Sequence, residues 1–227
     1  MIAVTFALPT ESSAFVRLLE NRTSGAMDSR IVSGSLNGRA VSLLHTGVGE
    51  KTTRTRMADF FRTQQPRLLI SAGFAGALDQ RLGVGDVFVG ENFSDAELAR
   101  QSKWPRVILA TIPRVIETLR EREFFARESG AAAVDMETEW IAEACRAAAV
   151  PLFSLRVISD SPTDPLPAPA RVLFDLERQR TPALKLIGHL VRHPAAVPSL
   201  LRFARRVDAL RQKLTDALVE VCASLPD

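Results

Sequence analysis

The stretch from Ala133 to Asp160, AVDMETEWIAEACRAAAVPLFSLRVISD, constrains this chain most, because it carries charge where burial forbids it. Val134 and the small residues before it read as the end of a buried strand, with Asp135-Met136-Glu137 as the turn. From Glu137 the spacing predicts a helix: Trp140, Ile141, Ala144, Cys145 and Ala148 make one apolar face. Pro151 closes it and opens Leu152 to Ile158, a short apolar run typical of a core strand. Into that strand the sequence puts Arg156, and just past it Ser159-Asp160. A buried guanidinium costs several kcal/mol unless a partner and hydrogen bonds compensate. Arg156 and Asp160 share a face at a separation of roughly 13 Å, too far to pair. Glu137 is therefore the expected partner of Arg156. Ligands bind at the strand ends of open α/β sheets, so the cluster is a site candidate.

Elsewhere β-rich apolar runs alternate with helical patterns, which predicts an α/β chain. Ile2 to Leu8 reads as a strand ended by Pro9-Thr10-Glu11, and Ser12-Ser13 leads into a helix carrying Phe15, Leu18 and Leu19 on one side. Glu11 is then either a first-turn acid favoured by the helix dipole or a functional carboxylate. Residues 21–40 read as a meander with Asn37-Gly38 as a hairpin turn. The strand Val41 to Leu44 runs into His45-Thr46-Gly47-Val48-Gly49, whose glycines allow close backbone approach before a helix over 52–63. Residues 68–72 form a strand continuing into Gly73-Phe74-Ala75-Gly76, and Gly83, Gly85 and Asp86 turn the chain into the strand 87–89. Between Asn92 and Arg106 lies a short polar segment, then a strand over 107–110 and a helix over 112–127 with Ile116, Leu119 and Phe124 inward.

After Asp160 come Pro162, Pro165, Pro167 and Pro169, a helix over 182–193 and a long helix from about Pro198 to Ser224. In the last, Leu200, Phe203, Val207, Leu210, Leu214, Ala217 and Val221 alternate spacings of three and four. That seam lies on its own domain, meets a partner subunit in a homo-oligomer, or makes a peripheral membrane contact helped by Arg202, Arg205 and Arg206. His189 and His193 stand four apart with no third ligand suggested; no metal or cofactor is expected. A net charge of +3 gives no argument for nucleic acid. Cys145 and Cys222 read as small core residues of a reducing compartment. The N-terminal run lacks a basic region and is too short for a signal peptide, so a cytoplasmic chain is expected.

Met136-Glu137 opening a helix, followed by Arg156-Val157-Ile158-Ser159-Asp160 ending a strand, resembles the signature of the nucleoside phosphorylase/nucleosidase superfamily, especially the methylthioadenosine/S-adenosylhomocysteine nucleosidases. The resemblance covers most of residues 1–162 and implies one three-layer αβα domain over 1–227 with a central mixed sheet, extended by helices at about 182–224. It further implies cleavage of an adenine-type nucleoside at its N-ribosidic bond. Asp160 would be the acid at the departing base. Glu137 would hold the sugar hydroxyls beside Met136, and Glu11 of the ALPTE opening would activate water. Arg156 would position the carboxylates, with Ser159, Phe74, Gly73 and Gly47 lining the substrate. Related phosphorylases have an arginine where this chain has Ser71, and a Gly-Asp-Pro loop it lacks, so hydrolysis is favoured over phosphorolysis. Phe74 replaces a serine that helps hold water in the nucleosidases. The middle and C-terminal segments also resemble hopanoid-associated phosphorylases, which implies an adenosylhopane-type substrate as the alternative. A catalytically silent nucleoside-binding protein is the alternative from another class.

Overall fold

A computed structural model describes residues 1–24, 30–164 and 197–225, with Leu166, Pro169, Val172, Arg192 and His193. Among the described residues ten strands form one mixed sheet. They are β1 (Ile2–Phe6), β2 (Glu20–Ser24), β3 (Ile31–Leu36), β4 (Arg39–His45), β5 (Leu68–Ala77), β6 (Val87–Gly90), β7 (Arg106–Val107), β8 (Leu109–Thr111), β9 (Ala133–Asp135) and β10 (Leu152–Asp160). The main order is β2-β3-β4-β1-β5-β10-β6-β7, and the far end of β5 pairs with β9, which pairs with β8. β4, β1, β5 and β10 run parallel, so their C-terminal ends open on one edge.

Among the described residues the helices are α1 (Pro9–Leu18), α2 (Glu50–Thr63), α3 (Ala96–Gln101), α4 (Leu119–Ser129), α5 (Thr138–Ala147) and α6 (Val197–Ser224). Alternate strand residues serve opposite faces. Ile2, Val4, Leu68 and Ile70 pack with Phe15 of α1 and Leu214 and Leu218 of α6. Ala3, Leu44 and Leu69 pack with Met57 and Phe60 of α2 and Ile141 and Cys145 of α5. This is the expected three-layer α/β arrangement. Both cysteines are buried and free, and the 37–38 hairpin forms with both residues at positive φ. The C-terminus of α6 is tied to the sheet by Arg39 Nη1, which donates to the Cys222 and Leu225 carbonyls at 2.9 and 2.5 Å.

Four expectations need correction. α1 begins at Pro9, so Glu11 stands in its first turn, and Leu18 faces out. The strand expected over 107–110 is two short ones, β7 on β6 and β8 on β9, with Ile108 exposed between them. The polar 92–106 segment contains α3, capped by Asp95, whose carboxylate accepts from the Glu97 and Leu98 amides. The helix expected from Ile112 starts only at Leu119, where Thr118 and Glu121 form a capping box. Its inward residue is Arg122, at 3% exposure, whereas Leu119 and Phe124 are 50% and 51% exposed. On α6 the seam splits. Leu210, Leu214, Ala217 and Val221 are buried on the domain, and Leu200, Phe203 and Val207 are only partly covered. His189, and all of the 182–193 helix but Arg192 and His193, lie outside the described residues.

Candidate functional site

The open edge gathers residues far apart in sequence. Glu11 is placed by the turn from β1 into α1, and its Oε2 accepts from the Leu8 amide at 3.1 Å. Glu137 caps α5, and its Oε1 accepts from the Gly49 amide at 3.1 Å. Gly49 needs its φ of 86° to aim that N–H. β10 delivers Ser159 and Asp160 through a register shift after Ile158, which breaks the simple alternation assumed from the sequence.

These carboxylates meet. A cleft of about 230 Å³ is lined by Glu11, Glu137 and Asp160 together with Met136, Ser159, Phe74 and Arg122. Behind it lies a recess of about 20 Å³ walled by Glu11, Glu137, Ser71, Gly73, Phe74 and Arg156. Burial, opposed by the Leu8 amide and by the charge of Arg156, pushes Glu11 up to about 7. Burial and the neighbouring carboxylates Asp135 and Glu11 likewise raise Glu137. Gly47 lines neither hollow; with φ of 73° it turns the chain, and its amide donates to the Ala7 carbonyl at 2.9 Å.

Arg156 pairs with Asp135 and not with Glu137, and it acts on Glu11 and Glu137 through its charge alone. Its Nε donates to Asp135 Oδ2 at 3.0 Å, and its Nη1 to the Ser71 and Leu155 carbonyls at 2.6 and 2.9 Å. Its Nη2 donates to Ser71 Oγ at 2.8 Å and Thr138 Oγ1 at 2.5 Å. All five guanidinium N–H groups are thereby committed to protein acceptors. The reason is direction: Glu137 turns away to the Gly49 amide, leaving Asp135 beside β10.

Asp160 has a buried counter-charge that sequence reasoning missed. Arg122 Nη2 donates to Asp160 Oδ2, and Ser159 Oγ donates to Oδ1 at 2.7 Å. Arg122 is itself anchored by the Ala77 carbonyl at 2.7 Å and the Ile116 carbonyl at 3.4 Å. Gly76 makes room, because a Cβ there would lie 3.2 Å from Asp160 Oδ2 and 3.3 Å from Arg122 Nη1. The Thr118…Glu121 capping pattern marks where α4 starts, but which of its residues turn inward is set by packing, with Phe125 and Ala126 on the same side as Arg122. A strand-edge cleft of this kind suits a small ligand with hydroxyls and a polar heterocycle.

A model of the phosphorylase superfamily matches residues 1–113 and 105–192, and the chain belongs to that superfamily. A 5′-methylthioadenosine/S-adenosylhomocysteine nucleosidase of Haemophilus influenzae (strain PittEE) is 27% identical over 100 residues, 43% of this chain and 44% of that relative. This chain therefore spans less than half the length of that relative in the match. One of Actinobacillus succinogenes is 23% identical over 197 residues, 70% of this chain and 85% of the relative. Among solved structures, the Campylobacter jejuni 5′-methylthioadenosine/S-adenosylhomocysteine nucleosidase shares the fold with a TM-score of 0.73 and 17% identity, covering 99% of both chains.

Proposed function

We propose that this chain cleaves the N-ribosidic bond of an adenine-type nucleoside by hydrolysis, releasing the free base. The observation that carries the reading is the shared cleft: Glu11, Glu137 and Asp160 line one hollow, and a water-sized recess opens beside the first two. About 10–15 Å³ admits one water, so a recess of about 20 Å³ suits water and not phosphate. Phosphate also needs donors to spare. The cation of that recess, Arg156, has none.

In this reading Glu11 takes a proton from the water that attacks C1′, and a carboxylate near neutrality is well matched to that task. Glu137 faces the sugar, where it binds hydroxyls and stabilises the oxocarbenium-like transition state. Met136 packs beside it, and Ser159 and Asp160 stand at the departing base. We take 1–227 as one domain of this kind, working in the cytoplasm as a homo-oligomer, with the exposed Leu119 and Phe124 of α4 as a contact to test.

The test is adenine release from adenosine derivatives with varied 5′-groups. Release from at least one of them, abolished in Asp160→Asn, is expected; binding without any turnover would reduce the chain to a nucleoside binder. A second reading keeps the chemistry and moves the substrate to a membrane, as for a lipid-borne adenine nucleoside. It rests on the first half of α6, where Val197 and Leu201 are exposed beside Arg202 and Arg205. Flotation with anionic vesicles would support it, and rapid turnover of methylthioadenosine without vesicle binding would remove it. Among the described residues no helix is long and apolar enough to cross a membrane.

A further inference from the structure

The Asp160–Arg122 pair is more than a neutralised charge. Both residues line the cleft, and Arg122 spends three of its five N–H donors on Ala77, Ile116 and Asp160. The pair thus presents to the cleft a carboxylate acceptor and a guanidinium donor side by side. We propose that Arg122 is a leaving-group residue that, with Asp160, reads the N6–H2/N7 edge of a 6-aminopurine. This inference rests on the nucleoside reading above and assigns to Arg122 the contact at N7.

The complementarity is specific. Adenine shows a donor at N6 and an acceptor at N7 along this edge, whereas a 6-oxopurine shows two acceptors. A carboxylate facing either acceptor of a 6-oxopurine meets lone pairs, which is repulsive. With adenine, Asp160 accepts from N6 and Arg122 donates to N7. In the reaction the C1′–N9 bond breaks and its electron pair goes to the base. The water oxygen bonds to C1′, Glu11 takes the water's proton, and the base leaves as an anion held at N7 by the guanidinium. Solvent then protonates it on release. A donor fixed where charge develops needs no reorganisation during the step. The anchors on two backbone carbonyls hold it there.

Binding of adenine, hypoxanthine and 7-deazaadenine, the last lacking the N7 acceptor, tests this by calorimetry. The proteins are the wild type, Arg122→Met, and Arg122→Met/Asp160→Asn, which leaves no unpaired charge should the single variant fail to fold. The wild type should bind adenine at least about tenfold more tightly than either analogue. In the Arg122 variants the adenine-to-7-deazaadenine ratio should fall towards one. Equal weakening for all three bases would mean that Arg122 only supports the fold, and a wild type indifferent to N7 would equally overturn the assignment. Free bases report on the pair even if no nucleoside is cleaved. Discrimination without turnover would sink the nucleosidase reading alone, and turnover without discrimination would sink this one alone.

Discussion

At Glu11 two physical roles meet in one side chain. The carboxylate closes the first turn of α1 through the Leu8 amide, as a helix-terminal acid should, and it also walls the recess beside Glu137. Burial moves it from 4.5 to about 7. The folded chain therefore keeps a proton that the unfolded chain gives up as pH rises from 4.5 to 7, and stability falls across that window. Glu11→Gln removes this fall. Relative to the wild type it should gain roughly 1–3 kcal/mol by pH 8, read from denaturant titrations at several pH values. It should lose at least about 100-fold in turnover, and the wild-type kcat/KM should rise through pH 7 as Glu11 ionises. A variant whose stability follows the same pH curve as the wild type would contradict the burial argument.

Among the elements, β10 joins its neighbours through one side chain. Its Arg156 ties β5 through Ser71 and the β9–α5 turn through Asp135 and Thr138, while Thr111 of β8 donates to Asp135 Oδ1 at 2.8 Å. Arg156→Met leaves Asp135 buried and unpaired, and should cost about 3–5 kcal/mol in chemical denaturation. Were Arg156 only a surface-like contact, the loss would stay below about 1 kcal/mol. α6 is divided by the same kind of reasoning. Leu214 is fully buried against the sheet, so Leu214→Ala should cost about 2–5 kcal/mol. Leu201, 56% exposed on the same helix, should change stability by no more than about 0.5 kcal/mol when replaced by Ala. Equal effects at both positions would mean that the whole helix is docked.

For the molecule as a whole, the layers were legible because β1, β5 and β10 are buried on both faces and so read as continuous apolar runs. Glu11 and Asp160 stand where such runs stop and Glu137 follows the short β9, but what singled the three acids out together was the resemblance of their motifs. The partners were not legible. Asp135 and Glu137 lie two residues apart, and only their side-chain directions decide which meets Arg156. Arg122 was hidden by an apolar count that turned Leu119 and Phe124 inward, whereas the packed face carries Arg122, Phe125 and Ala126. The glycine loop drew attention to Gly47, yet Gly49 supplies the amide that holds Glu137. What unites these parts is a recess with room for water beside Glu11 and Glu137, whose own cation, Arg156, has no donor to spare for phosphate. The direct test is product analysis by phosphorus NMR after turnover of an adenine nucleoside in phosphate buffer. Free adenine and free sugar, with no sugar 1-phosphate, are the predicted products. Sugar 1-phosphate formed in step with adenine would contradict the account.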